Sequence, residues 1–342
     1  MTTHPRVTVA GAGVLGLTTA LALADAGCAV TVADPGGPNA SSVAAGMIAP
    51  VFEAVLDPAA RDHFDLLLAA RDLWPALAHR TGVALDRSGA LAVGGETWMA
   101  QVAQGFAGLN ERPAEIGGRT AQALAPGLGE TFGSALFTRE DWRVEASAAL
   151  EALRMAARAA GVVFLPKALA GGQEADRGES DVLVVATGAG GGLAAVAPEI
   201  ATLSPIKGHI VRLAGAATGA VVRGEGVYVA PGDVRVLGAT MEPGRDDPAI
   251  DEARAAPLLT AGLRLFPDLA GRPYRISVGV RAATPDGLPM AGPGKTPGVM
   301  LATGARRNGW LLAPLVAQVV TARVTGRDPG PYATRLDPAR FG

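Results

Sequence analysis

The sequence predicts an α/β protein in which a Rossmann-type domain is interrupted by an α+β domain built on a mostly antiparallel sheet. Three observations lead there. A Gly-x-Gly-x-x-Gly run, Gly11 to Gly16, sits between a β-branched stretch and an uncharged helical one. Between Ile206 and Leu237 the chain breaks into strand-length apolar runs divided by Gly-rich turns, the texture of a meander. A strand, a Gly-rich turn and a helix then return near the end, over residues 299–302 and 310–325.

The elements follow in order. Residues 6–10 are β-branched and read as a strand; 14–26 read as a helix ending at Gly27; 29–33 form a second strand ending at Asp34. Ser41 to Ile48 reads as a loop of small residues. Asp57 and Pro58 supply an N-cap and a helix-compatible proline. Phe64, Leu67, Leu68, Arg71, Trp74 and Leu77 then keep a helical period with a kink at Pro75. From Leu85 to Phe137 the pattern is irregular, with a strand at 90–93 and a helix near 98–109. A helix at 146–160 and strands at 162–165 and 182–186 resume the first texture. The sheet runs 206–213, 227–230 and 234–237 come next, then a helix at 251–265 and a strand at 275–281. This assigns residues 1–82, 140–205 and 275–342 to the Rossmann-type domain, and 83–139 with 206–274 to the second.

Composition excludes several functions. The chain has 342 residues, which at about 150 per domain suits two domains and a large core. Glycine is abundant, at 46 residues, but 49% of the chain is hydrophobic, so the glycines belong to turns and close approaches rather than to disorder. A net charge of −2 offers no broad basic surface, and no nucleic-acid partner is expected. Cys28 is the single cysteine, which rules out a disulfide framework and a multi-cysteine metal site. His4, His63, His79 and His209 lack ligand spacing, so no metal is expected. Val7 to Ala24 is uncharged and long enough to mimic a membrane span. It lacks a basic leader and a cleavage site and carries three glycines at fixed offsets, so a buried strand, turn and helix fit better. No integral membrane segment is expected, and the protein reads as cytoplasmic.

The first chemistry is a dinucleotide cradle. Gly11 permits a tight turn, Gly13 lets backbone approach a pyrophosphate, and Gly16 allows close strand–helix contact. The helix start at Val14 and Leu15 offers N–H groups and a partial positive charge to the diphosphate. Asp34 can accept from a ribose hydroxyl. The cradle alone does not separate FAD from NAD. Three further segments favour FAD. Ser41-Ser42-Val43-Ala44-Ala45-Gly46-Met47 could press backbone amides against a flat ring. A late apolar strand runs into Thr187 and Gly188. Gly304, Asn308, Gly309, Trp310 and Leu311 surround the start of the final helix, whose dipole would stabilise a reduced flavin. Each segment alone reads more readily as loop or core; their order along the chain is what favours flavin.

In SSVAAGMIAP (41–50), LSPIKGHIV (203–211), VYVAPGDVRVLGATMEPG (227–244), GVRAATPDGLPMAGP (279–293) and TGARRNGWLLAP (303–314), the chain resembles the D-amino-acid-oxidase-like flavoproteins. Within that family it is similar to the bacterial glycine oxidases of thiamine biosynthesis. The resemblance implies a discontinuous FAD-binding domain and a substrate sheet over the flavin face. It implies an enzyme that passes a hydride from the substrate Cα to the flavin, with the imine hydrolysed in water. The substrate would be glycine or another small amine or amino acid, and the acceptor oxygen, giving hydrogen peroxide. A D-amino-acid dehydrogenase using another electron acceptor is the alternative, and a homo-oligomer is left open.

By the same resemblance Arg281 clamps the substrate carboxylate, a task suited to a planar guanidinium fork. Ile276, Val278 and Val280 alternate, which puts Arg281 on the other face with Ser277 and Gly279. Tyr228 and Met241 match positions lining the substrate cavity, with sheet-core packing as their other reading. Met47 matches a flavin-side position, and Arg307 an arginine near both flavin and carboxylate. Related enzymes that bind flavin covalently use a C-terminal cysteine, or a histidine near 41–46. Neither exists here, so non-covalent FAD is expected. Three departures fall around the pocket. The family often has Gly-His-aromatic-Arg-Asn-Gly where this chain has Gly304-Ala305-Arg306-Arg307-Asn308-Gly309. Gly232 stands where an arginine is common, and Ala282 where a proline is.

Overall fold

The computed structural model describes residues 5–169 and 180–342; His4 lies outside them. Two large sheets organise the described residues. The first has six strands, in the order Met290–Pro293, Val299–Thr303, Val182–Val185, Arg6–Ala10, Ala29–Ala33 and Val163–Leu165. All neighbours run parallel except the pair Met290–Pro293 and Val299–Thr303. A parallel sheet must be covered on both faces, and Val7 to Ala10, buried throughout, meet that need. Helices Val14–Asp25, Ala146–Ala159 and Gly309–Thr325 pack with it into one core that includes Val9, Leu17, Leu153 and Val316. The last helix is buried on nearly every side, which explains why it carries no charge before Arg323.

The second sheet has nine strands. Ser204–Ala217 is its spine, pairing antiparallel with Gly232–Gly238 and Glu242–Pro243 along one edge and with Tyr274–Ala283 along the other. Val227–Ala230, Val221–Gly224, Ala90–Ala92, Ser134–Thr138 and Ala114–Gly117 extend it outward. Its neighbours are antiparallel save Val221–Gly224 against Ala90–Ala92. One face is closed by helix Glu252–Leu265 through Val211, Leu237 and Leu258. Strand Tyr274–Ala283, expected to open the last Rossmann-type segment, hydrogen-bonds instead along Ser204–Leu213 in this second sheet.

Other differences have local causes. The single kinked helix expected through Pro75 is two helices, Phe64–Asp72 and Trp74–Thr81, because proline is accommodated in a first turn and not in an interior one. The small-residue loop contains a helical turn, Ala40–Val43, capped by the Asn39 side chain, and a short strand, Met47–Ile48, paired with Trp142–Arg143. Helix Pro50–Leu56 was not anticipated. Its first N–H groups are capped from far along the chain, Val51 N–H donating to Asp141 Oδ1 at 2.8 Å and Phe52 N–H to Oδ2 at 3.0 Å. Among the described residues no helix is long and apolar enough to cross a membrane, and Val7 to Ala24 is indeed strand, turn and helix.

The strand–helix contact rests on Gly16, where a Cβ would stand 2.0 Å from the Gly11 carbonyl oxygen. Gly16→Ala should therefore force backbone apart and destabilise the fold by about 1–3 kcal/mol. A lowered urea midpoint is the expected result.

Candidate active site

Two adjoining cavities lie where the sheets meet. The first, about 570 Å³, opens at the C-terminal ends of the parallel strands, where open α/β sheets bind ligands. Its size falls within the ~300–1,000 Å³ of cofactor sites. Gly11, Gly13, Val14, Leu15, Asp34, Ser41, Thr187, Gly188, Gly304 and Gly309 all line it. Gly11 has φ +108°, and a Cβ there would stand 2.5 Å from the Ala186 carbonyl oxygen. Val14 N–H donates to Ser41 Oγ at 3.0 Å, fixing the helix start against the 40–43 turn. Asp34 first organises the loop: its carboxylate accepts from Ala12 N–H at 2.6 Å and Gly36 N–H at 2.8 Å. A carboxylate has about four lone-pair sites, so capacity remains for a ribose hydroxyl. The cradle fits the adenine dinucleotide that the sequence implied.

The second cavity, about 340 Å³, shares Ala40, Gly279 and Arg281 with the first. Ala45, Gly46, Met47 and Trp310, expected against flavin, line this one. Trp310 is pinned at both ends, Nε1 donating to Ser41 O at 3.1 Å and its own carbonyl accepting from Trp74 Nε1 at 3.0 Å. Four expected contacts face neither cavity. Ser42 completes the capping box with Asn39, Asn308 starts the final helix, Leu311 is in the core, and Gly16 serves packing.

Tyr228, Met241, Arg281 and Arg307 converge on the second cavity. The Arg281 guanidinium lies over Gly208, where a Cβ would be 2.3 Å from its Nη1. Nη1 donates to Thr240 O at 3.3 Å and touches Met241 Sδ at 3.5 Å. Among the described residues Arg281 has no carboxylate partner, and burial works against its charge. Arg307 is different. Its Nη2 is 3.2 Å from Glu53 Oε2 and its Nη1 3.5 Å from Asp57 Oδ2, and the nearby Glu53 carboxylate raises its pKa. Burial pushes the Tyr228 phenol up, so it is a neutral donor at the cavity wall.

Sequence reasoning missed Glu53, Asp57 as an ion-pair partner, Asp141 and Arg223. Glu53 and Arg223 line the second cavity, and Asp57 holds Arg306 and Arg307. The available signal was Glu53 itself, a lone carboxylate within the apolar run Pro50–Val55.

The model of the family described as DAO, FAD dependent oxidoreductase, matches residues 6–323. A glycine oxidase of Pseudomonas aeruginosa is 31% identical over 369 residues, covering 96% of this chain and 98% of that protein. A putative thiamine biosynthesis oxidoreductase of Rhizobium etli is 32% identical over 340 residues, covering 93% and 96%. The solved glycine oxidase of Geobacillus kaustophilus superposes with a TM-score of 0.82 at 26% identity, covering 99% of each chain.

Asp141 gives a pH test of the helix that carries Glu53. Burial raises its carboxyl from 3.8 to about 6. Between those values the native protein holds a proton that the unfolded chain has released, so wild type loses stability as pH rises through that window. Asp141→Asn has no such titration. The stability difference, wild type minus variant, should fall between pH 4 and 6, as read from urea midpoints.

Proposed function

We infer the reaction from a plain premise: the chain belongs to the DAO family of FAD-dependent oxidoreductases, it is an enzyme, and FAD is its cofactor. We propose that it oxidatively deaminates glycine or another small amine-bearing carboxylate, with oxygen as acceptor and hydrogen peroxide as product. Arg281 carries this reading. It is a guanidinium without a carboxylate partner among the described residues, on the wall shared by both cavities. A substrate carboxylate there would gain two parallel hydrogen bonds, which fix its plane as well as its position.

FAD, when bound, supplies the acceptor for the hydride leaving the substrate Cα. Gly11, Gly13, Val14, Leu15, Asp34, Ser41, Thr187, Gly188, Gly304 and Gly309 would hold it along the first cavity. Met47, Trp310, Tyr228 and Met241 line the second cavity, where they would face the flavin and the substrate amine. Arg307, held by Glu53 and Asp57, keeps positive charge near that end without itself being free to clamp. No acid–base side chain is required if the amine enters neutral. The six-stranded sheet would be the heart of the flavin domain and the nine-stranded one that of the substrate domain. On this division strand Tyr274–Ala283 goes with the substrate domain by its pairing, rather than with the flavin segment 275–342. The name of the Rhizobium relative, a putative thiamine biosynthesis oxidoreductase, supports a role in thiamine biosynthesis.

Non-covalent flavin is supported by Cys28, which is buried in the core and lines neither cavity. Acid precipitation should leave the yellow colour in the supernatant; colour in the pellet would show a covalent bond. Arg281→Met should keep flavin absorbance per protein but lower kcat/KM by about 30- to several-thousand-fold, the ~2–5 kcal/mol of stranding one side of a buried charge pair. Arg281→Lys should recover only part, because a point charge does not reproduce the fork. Wild-type efficiency in Arg281→Met on glycine, sarcosine and D-alanine, followed by peroxide release, would remove the clamp from Arg281.

A further inference from the structure

The second cavity is more positive than a single substrate carboxylate requires. Three guanidinium groups line it, those of Arg223, Arg281 and Arg307, against one carboxylate, Glu53. Glu53 is already engaged with Arg307 at 3.2 Å. Asp141, the other acid near Arg223, makes its hydrogen bonds to the Val51 and Phe52 N–H groups and none to Arg223.

Arg223 is the anomaly. It is 3% exposed, yet its Nε and Nη2 have no hydrogen-bond partner among the described residues. The nearest carboxylate oxygen, Glu53 Oε1, is 3.7 Å from Nη2, an ion pair without a hydrogen bond. Its other neighbours are rings, with Cζ 5.7 Å from the centre of Phe52 and 5.6 Å from that of Tyr228. Buried guanidinium donors are costly to leave unpaired, so such a group in a cavity wall calls for an acceptor that arrives with a ligand.

The sheet sets where that acceptor must sit. Arg223 stands opposite Tyr228 across one strand pair, and Arg281 lies beyond Tyr228 on the far side of the spine strand. The two under-partnered guanidiniums therefore flank Tyr228 from opposite sides. Gly208 and Gly238 seat these groups, since a Cβ would meet Arg281 Nη1 at 2.3 Å on the first and the Tyr228 hydroxyl at 2.3 Å on the second.

We propose that the preferred substrate is a small amine carrying two carboxylates, one held by Arg281 and the second by Arg223, with Arg223 setting the preference for diacids. This rests on the amine-oxidase reading above and leaves its electron transfer unchanged. The second carboxylate would bring Arg223 the hydrogen-bond acceptor that its Nε and Nη2 lack among the described residues.

The test uses the FAD-loaded protein. Iminodiacetate, D-aspartate and D-glutamate are compared with glycine, sarcosine and D-alanine by kcat/KM. Succinate and malonate are compared with propionate by calorimetric titration. At least one diacid should surpass the monoacids by tenfold or more, and a dicarboxylate should bind at least tenfold tighter than propionate. Arg223→Met should lower the diacid-to-monoacid ratio by roughly 30-fold or more, and Arg223→Lys should restore part of it. Wild type favouring monoacids in both measurements overturns the proposal without any variant being needed. So does an Arg223→Met protein that loses both classes equally, which would make Arg223 a structural neighbour of Glu53. If no carboxylate-bearing amine reduces the flavin, the amine-oxidase reading itself falls, and this one with it.

Discussion

The seating of Arg281 on bare backbone is the constraint on which the site depends. Its guanidinium crosses Gly208 so closely that a Cβ at that position would lie 2.3–2.7 Å from three of its atoms. Register places Gly208 directly opposite Gly279, so two adjacent strands lack side chains at the same level. On Gly279 the space is taken by the 40–43 turn, with Val43 Cβ 3.3 Å from where a glycine Cβ would be. The spine strand fastens that turn as well, Arg212 Nη2 donating to Val43 O at 2.7 Å. One pair of glycines thus lets the cation lie flat and lets the loop after the cradle dock on the second sheet. The wall common to both cavities is made of these residues, Ala40, Gly279 and Arg281.

Around that seat the charges are arranged for field rather than for stability. Buried ion pairs rarely return their desolvation cost, and here Glu53, Arg223 and Arg307 are all largely buried or shielded. Asp57 extends the cluster to Arg306, whose backbone is left-handed at φ +49°. Such a conformation costs about 1–3 kcal/mol in a residue other than glycine. It is offset by the Arg306 N–H bond to Ala282 O at 2.8 Å and by the ion pair with Asp57. An aromatic residue, common at this place among the relatives the sequence resembles, could not make that ion pair. Arg306 and Asp57 therefore read as a matched pair.

Legibility in the sequence followed locality. Strands Arg6–Ala10, Ala29–Ala33 and Val227–Ala230 coincide with the expected runs because their signals, β-branched content and flanking glycines, lie within a few residues. Helix Pro50–Leu56 was hidden because its cap is Asp141, 90 residues away in sequence. Short strands such as Ser134–Thr138 and Met290–Pro293 exist through their partners and carry no period of their own. The same division holds at the site. The glycines of the cradle announced themselves by spacing. Arg223 did not, since nothing local separates a cavity arginine from the many on the surface. Strand Tyr274–Ala283 was legible as a strand, but its sheet was decided by a partner about seventy residues earlier.

The spine strand also controls the far wall, through two polar residues that no sequence pattern singled out. Lys207 and His209 are wholly buried, facing the segment that follows strand Gly232–Gly238. Lys207 Nζ pairs with Asp247 at 2.6 Å. His209 Nε2 accepts the Asp251 N–H at 2.9 Å, while Nδ1 lies 2.9 Å from Glu242 Oε1. That pattern requires a ring protonated at Nδ1 and bare at Nε2. The segment so pinned brings Met241 to the second cavity and Pro248 to the first. It also supplies the Thr240 carbonyl that receives Arg281 Nη1. Arg281 is thus held from below by an absent side chain and from the side by a segment whose anchors, Lys207 and His209, each lie one residue from Gly208. Because the spine carries both supports, a register slip of one residue would move Lys207 and His209 to the opposite face and unseat Arg281 at once.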